Sequence, residues 1–319
     1  MQKPDSTYTG QVAVPTIVLF LLLTISYGTL WWAYANGYLV NWVVGVIGAF
    51  LAYGMFTVVH EASHGNISGG NQHMTGFEKA LGWLAGTALF FPFTAFVGIH
   101  LQHHAHTNDS DQDPDGYVKG KSALEIFGRC VTLIGYYYVH SLGKASKENT
   151  AMKSTRGQTI VFLLILLSIT AAFILTGNLD VYFFVFLMPA LLAAPFLGFT
   201  FDWLPHYPHH NMGAYHNTRI VTIPGLEFLS LFQSYHLIHH LYPRVPFYLY
   251  RTKFKSIEPA LVDKKSPIEG FRKKDGHLFN KRNTYIDLVE GTSWKYTLEV
   301  EDITPLTHDA VVIRFKRLD

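Results

Sequence analysis

Seventeen histidines occur among the 319 residues, and most of them fall into tight groups. The first group is His60-Glu61-Ala62-Ser63-His64. Residues four apart share one face of a helix, so both imidazoles can reach one metal ion. The second is His100-Leu101-Gln102-His103-His104, and the third is His236-Leu237-Ile238-His239-His240. In each HxxHH the first and last histidines are expected to clasp one ion, while the middle one leans toward a neighbour. Asp202 and His206 repeat the four-residue spacing, with Pro205 inside the turn. The candidate ligands are therefore His60, His64, His100, His103, His104, His206, His236, His239 and His240. Nine is too many for one ion and suits two ions with four or five ligands each. Any one of these histidines alone would be read as an ordinary polar residue; the repeated HxxHH is what argues for ligation.

His73, His140, His277 and His308 have no such pattern and are expected to be ordinary. His106, His209, His210 and His216 are candidates to support the ligands, because a metal-bound imidazole needs a partner for its other ring nitrogen. Asp202 is expected to orient a metal-bound water or a neighbouring imidazole. Asp109, Asp113 and Asp115 either support the ligands in the same way or form a polar loop that ends a helix.

Imidazole suits zinc, copper, iron and nickel. His60-Glu61-Ala62-Ser63-His64 also fits HExxH, in which Glu61 would be the general base of a zinc protease. That reading leaves both HxxHH groups unexplained. A metal transporter would spread histidines along a pore, whereas here they collect at one end of segments that carry almost no ionisable residue. Two irons in an all-nitrogen site fit the activation of dioxygen for attack on a C–H bond. Such a substrate would be apolar and would enter from lipid.

The elements that must carry these groups are membrane helices. Hydrophobic residues make up 49% of the chain and charged residues 15%, well under the roughly 25% of a typical soluble protein. The net charge of +2 does not suggest a nucleic-acid partner. The single cysteine, Cys130, excludes an internal disulfide and a cysteine metal site. Residues 1–12 lack the basic stretch and cleavage site of a secretory signal. Four stretches reach the ~20 apolar residues of a span: 13–36, 39–59, 157–177 and 181–203. They pair as two hairpins whose connectors, 36–38 and 177–180, contain no Lys or Arg. The segment between the hairpins carries Lys119, Lys121, Arg129, Lys144, Lys147, Lys153 and Arg156. The positive-inside rule therefore places both termini and the histidine groups in the cytoplasm. A bacterial inner membrane is the expected location.

Two more apolar stretches, 79–99 and 124–142, are expected to be interfacial or re-entrant. If 79–99 crossed the bilayer, His100 would emerge on the opposite side from His60. The expected fold is thus all-α: four transmembrane helices, interfacial helices, a cytoplasmic histidine cap, and a short hairpin-like tail. The membrane domain runs to residue 250 and a cytoplasmic extension covers 251–319. Within it, 294–301 and 309–316 alternate apolar and polar residues and predict two strands.

The three groups, in this order, resemble the membrane fatty acid desaturase superfamily. The resemblance implies four spans, a di-iron centre, dioxygen as co-substrate, and an extra ligand after the fourth span that His206 matches. Finer motifs are His100 through Asp109 followed by Asp113-Pro114-Asp115, then Phe201 through His209, and His236 through Tyr248. They are similar to those of carotenoid β-ionone ring hydroxylases. The short first group is also compatible with acyl-lipid desaturases. The implied substrate is a carotenoid or an acyl lipid, with electrons supplied by a ferredoxin or a flavin reductase. Trp294 to Val300 and Thr304 to Phe315 are similar to the opening of a ferredoxin-reductase-type domain, which implies a fusion or its relic. No cofactor is assigned to this short segment.

Overall fold

The computed structural model of the protein describes residues 7–143, 150–270, 298–305 and 311–317. Helices α1 (Val14–Ala35) and α2 (Asn41–Ser63) form the first hairpin. Helices α3 (Thr75–Ala88) and α4 (Phe93–His106) follow, then α5 (Ala123–Leu142). The second hairpin is α6 (Thr150–Leu175) and α7 (Leu179–Trp203). Helices α1, α2, α6 and α7 are long and apolar enough to cross a membrane, as the four predicted stretches require. The protein is an all-α membrane protein of four spans.

Burial separates the four spans into two kinds. Only 17% of α1 and 11% of α6 is covered by protein, against 56% of α2 and 50% of α7. The outer pair therefore faces lipid and the inner pair forms the core. Close approach of α2 and α7 depends on small residues, as is usual between membrane helices. A Cβ on Gly45 would lie 2.7 Å from Met188, and one on Gly48 2.5 Å from Pro189. Two turns of α7, Tyr182–Leu187 and Gly198–Trp203, are π-helical, and Pro195 lies between them. Such wide turns re-aim the side chains that follow.

The 79–99 stretch is broken. Helices α3 and α4 meet at 97° across Leu89–Pro92. Helix α3 ends in a Schellman turn: the N–H of Phe91 donates to the carbonyl of Gly86, and that of Phe90 to Thr87. Phe90 adopts φ +54° in the left-handed position. Pro92 then starts the next helix, and the ring of Phe93 fills the space a side chain on Gly82 would need. The chain thus dips and returns, which puts His100 at the same end as His60.

The second span is longer than its predicted limit at residue 59. Nothing interrupts it until Gly65, at φ +75°, so the first histidine group occupies its last turn. After α7 come α8 (Leu226–Leu229), α9 (His236–Leu241) and α10 (Tyr250–Asp263). Strands β1 (Ile220–Val221) and β2 (Ile268–Glu269) pair in parallel and pin this cap together.

In the tail, β3 (Leu298–Pro305) and β4 (Val311–Arg317) form an antiparallel hairpin. The first strand runs beyond its predicted end at residue 301, to Pro305. Thr304 and Pro305, expected in the turn, belong to the strand opposite Val312 and Val311. In a two-stranded ribbon every strand is an edge, so a terminal proline breaks no ladder. Residues 294–297, His277 and His308 lie outside the described residues.

Candidate metal centre

Four pieces of chain converge on one end of α2 and α7. Helix α2 brings His60 and His64, α4 brings His100, His103 and His104, and α9 brings His236, His239 and His240. The turn after α7 brings His206. All nine rings are buried. Their Nε2 atoms point inward and fall into two groups.

The first group is a chain of near contacts. His60 Nε2 lies 3.0 Å from His239, His239 2.8 Å from His104, His104 3.2 Å from His100, and His100 2.8 Å from His64. The second group has His206 Nε2 3.1 Å from His236, His236 3.2 Å from His240, and His240 3.3 Å from His103. A ring nitrogen carries one proton or none, so the four contacts of the first group cannot all be hydrogen bonds. They have instead the spacing of donor atoms around an ion. Two nitrogens about 2.1 Å from one metal, at right angles, lie about 3.0 Å apart.

The HxxHH geometry explains the partition. In α4, His100 and His104 share the first group while His103 reaches the second. In α9 the roles are reversed: His236 and His240 share the second group while His239 reaches the first. Each of the two helices therefore bridges both groups, giving five nitrogens on one side and four on the other, with His104 of the first also within reach of His240 in the second.

Outer nitrogens are held by ordinary side chains. His103 Nδ1 lies 2.8 Å from Asp113 Oδ1 and 3.2 Å from Asp115 Oδ2. His239 Nδ1 lies 3.0 Å from the Tyr250 hydroxyl, and His240 Nδ1 3.4 Å from Thr107 Oγ1. With Nε2 turned inward, these contacts fix the tautomer in which Nδ1–H donates. Asp113 is itself fixed, accepting the N–H of Asn108 at 2.6 Å and that of Asp115 at 3.0 Å. Tyr137 donates to Asp115 Oδ1 at 2.5 Å.

Electrostatics favour a metal here. Burial pushes His64 down to about 3, aided by Arg244, and burial pushes His236 down to about 3, aided by His103. Both are therefore neutral, the form that binds metal. Burial raises Asp115 to about 6, Asp113 adds to the rise, and His103 opposes it. Burial also acts against Asp113, yet His103 and the two N–H groups outweigh it and hold that carboxyl below the usual range. Asp113 and Asp115 supply negative charge of the kind that two buried cations need nearby.

An apolar cavity of about 70 Å³ adjoins the two groups. Phe56, Val59, Leu133, Ala194, Leu197 and Phe201 line it, and His100, His103, His236, Asp115 and Asp202 form its polar end. The carboxylate of Asp202 has no hydrogen-bond partner among the described residues. Asp202 and His206, four apart, do not face one ion: the π-turn at Gly198–Trp203 sends Asp202 to the cavity and His206 to the second group.

The remaining candidates lie elsewhere. Asp109 Oδ1 accepts the N–H groups of Asp111 and Gln112, so it closes its own loop. The carbonyl of His106 accepts the N–H of Asp109 in that loop, and its ring meets none of the nine. His209 is buried and stacks 6.4 Å from His206, but does not reach a ligand nitrogen. His210 is exposed. His216 reaches the carbonyl of Lys264, and His140 the side chain of Gln102. His73 lies in a surface turn.

Glu61 does not sit where a general base would. It is fully buried, its carboxylate accepts the N–H of Phe247 and the amide of Asn66, and it lies 4.0 Å from His60 on the Nδ1 side. It ties the end of α2 to the chain after α9.

Known proteins resemble this chain over most of its length. The fatty acid desaturase family profile matches residues 36–271. A β-carotene ketolase of Paracoccus sp. (strain PC1) is 28% identical over 256 residues, covering 77% of this chain and 94% of the ketolase. A fatty acid conjugase of Calendula officinalis is 24% identical over 253 residues, or 67% of this chain. The chain spans 66% of the length of that conjugase. An omega-3 fatty acid desaturase of Caenorhabditis elegans is 36% identical over 102 residues, 32% of this chain. The match of the profile from the first hairpin through the last histidine group shows that the chain belongs to the fatty acid desaturase family.

Proposed function

We propose that this chain is an oxygen-dependent membrane oxidoreductase that hydroxylates the β-ionone ring of a carotenoid at a di-iron site. The observation that carries this reading is the pairing of two histidine groups with one apolar cavity at their common edge. His60, His64, His100, His104 and His239 would hold one ion; His103, His206, His236 and His240 would hold the other. Iron in these positions supplies the redox chemistry that lets dioxygen oxidise a C–H bond. In the balance, substrate C–H, one O2, two electrons and two protons give C–OH and one water.

The protein's part is position and environment. Phe56, Phe201 and Leu197 exclude water and press an apolar ring toward the His100–His236 end of the cavity. Asp113 keeps the His103 ring in register, and Tyr250 does the same for His239. Asp202 offers the cavity's free carboxylate for a water or a neighbouring imidazole.

The ketolase relative supports a carotenoid substrate. A second oxidation at the same carbon would yield the ketone in its name. The conjugase and desaturase relatives favour one other reading, oxidation of an acyl lipid by the same site. Loop charge supports a cytoplasmic side for the cages and termini, where a ferredoxin or flavin reductase would deliver electrons. The chain is expected to act as a membrane domain to residue 250 with a cytoplasmic extension, 251–319.

Expression in bacteria that accumulate β-carotene tests the proposal. Oxygenated ring products are expected. Unchanged pigment with altered fatty acids would overturn the carotenoid reading in favour of acyl lipids.

A further inference from the structure

Helix α5 carries three tyrosines in a row, Tyr136, Tyr137 and Tyr138. The Tyr138 hydroxyl donates to the backbone carbonyl of Phe90. The Tyr137 hydroxyl donates to Asp115 Oδ1 at 2.5 Å, the short distance of a charge-assisted bond to a carboxylate. The other oxygen of that carboxylate, Oδ2, lies 3.2 Å from His103 Nδ1. Tyr137 is buried and lines the apolar cavity, whose other aromatic residues, Phe56, Phe91, Phe96 and Phe201, are all phenylalanines. One carboxylate therefore joins the cavity's phenol to the outer nitrogen of a candidate ligand.

The contacts continue away from the cages. The Tyr137 ring lies 6.0 Å from that of Tyr136, and Tyr136 stacks on Tyr117 at 4.1 Å and 7°. Ring centroids within about 7 Å are in aromatic contact. Tyr136 and Tyr117 are half-buried, and the Tyr117 hydroxyl meets that of exposed Thr132 at 2.8 Å. Three phenols thus run without a gap from the cavity to the surface.

Rings alone would satisfy packing. A phenol adds one property: it gives up an electron readily when its proton can move to a hydrogen-bonded base. Its O–H bond is weaker than an unactivated C–H bond. A site able to oxidise such a C–H bond therefore oxidises a nearby phenol when no substrate is in place, and would otherwise attack its own imidazoles.

We infer that Tyr137, Tyr136 and Tyr117 form an escape route that carries oxidising equivalents from an empty cavity to the surface. This rests on the reading that the cages activate dioxygen. Tyr137 gives an electron to the site and its proton to Asp115. Tyr136 refills Tyr137 with an electron while Asp115 returns the proton, and Tyr117 refills Tyr136. A soluble thiol then restores Tyr117 with one hydrogen atom, and the protons released along the way exchange with solvent. In the balance, one O2, two donor electrons, two protons and two thiols give two waters and one disulfide. Tyr138, tied to a carbonyl that cannot take its proton, stays outside the route.

The test uses full-length, iron-loaded protein given reductant and dioxygen but no lipid substrate, with Tyr136→Phe and Tyr138→Phe beside the wild type. Samples frozen during oxygen uptake are read by electron paramagnetic resonance, and spent samples by mass spectrometry of oxidised residues. The wild type is expected to show a tyrosyl radical that added glutathione removes. Tyr136→Phe keeps the ring and loses the phenol. Its radical is expected to stay on Tyr137 and resist glutathione, its cage histidines to be oxidised, and its inactivation to come severalfold sooner. Its turnover with substrate should equal that of the wild type. Tyr138→Phe should match the wild type throughout. No tyrosyl radical in the wild type, Tyr136→Phe as durable as the wild type, or Tyr138→Phe as fragile as Tyr136→Phe would each overturn the inference while oxygen uptake leaves the oxidoreductase reading intact. If the wild type takes up no oxygen with reductant, the oxygen-activation reading fails and the route with it.

Discussion

His103 Nδ1 and Asp113 Oδ1 lie 2.8 Å apart, both side chains almost fully buried, while His103 Nε2 faces His240 across 3.3 Å. One face of the ring is thus committed to a carboxylate and the other to the second cage. Asp113→Ala is expected to weaken metal binding at that cage about 10–100-fold, with Asp113→Asn intermediate because its amide oxygen still accepts. Metal titration of the two variants checks this; equal affinity to wild type would remove Asp113 from the site.

Acidity should act on the metal-free fold with a definite sign. His64, His209 and His236 are each pushed down to about 3, chiefly by burial, from an ordinary value of 6.5. Between those limits the unfolded chain binds more protons than the folded one, so stability rises with pH through this window. The melting temperature of metal-free protein should be flat above about pH 7 and fall steadily below about 6.5. A melting temperature that rises on acidification would contradict neutral buried imidazoles.

Glu61→Gln separates the oxidoreductase reading from the protease one. Its carboxylate accepts from Phe247 N–H and Asn66, and a glutamine oxygen can still accept one of these. The expected result is a stability loss of about 1 kcal/mol with metal content and oxidation retained. Complete loss of activity in folded, metal-loaded protein would point to a general base.

The cavity wall sets what reaches the cages. Ala194 lines it beside Leu197 and Phe201. Ala194→Phe is expected to lower kcat/KM for the lipid substrate by roughly tenfold or more, since even one methylene in such a pocket is worth about 10–200-fold. Metal content should be unchanged. Undiminished turnover would place the substrate elsewhere.

Much of the cage was legible because its geometry is local. Histidines at i and i+4 must share a face, and the one at i+3 must be offset, so His103 and His239 cross over for reasons internal to their own helices. The return of 79–99 was legible too, since His100 had to meet His60. The supports were less so. Tyr250 and Thr107 are ordinary residues, and their contacts depend on how α10 folds against α9 and how α4 meets α9. Asp109 and Asp113 look alike in sequence; only the turn between them decides that one closes a loop and the other holds a ligand. Asp202 and His206 have helix-like spacing, and the π-turn that contains Asp202, invisible in composition, sends them apart.

If nine imidazoles hold two irons in one chain, they fix the iron content of the protein. Elemental analysis of full-length protein purified from iron-supplied cells measures it directly, with His103→Ala and His64→Ala beside the wild type. The wild type should contain about two irons per chain, and each variant should lose iron from its own cage. One zinc and no iron in wild-type protein with all nine histidines intact would contradict the account.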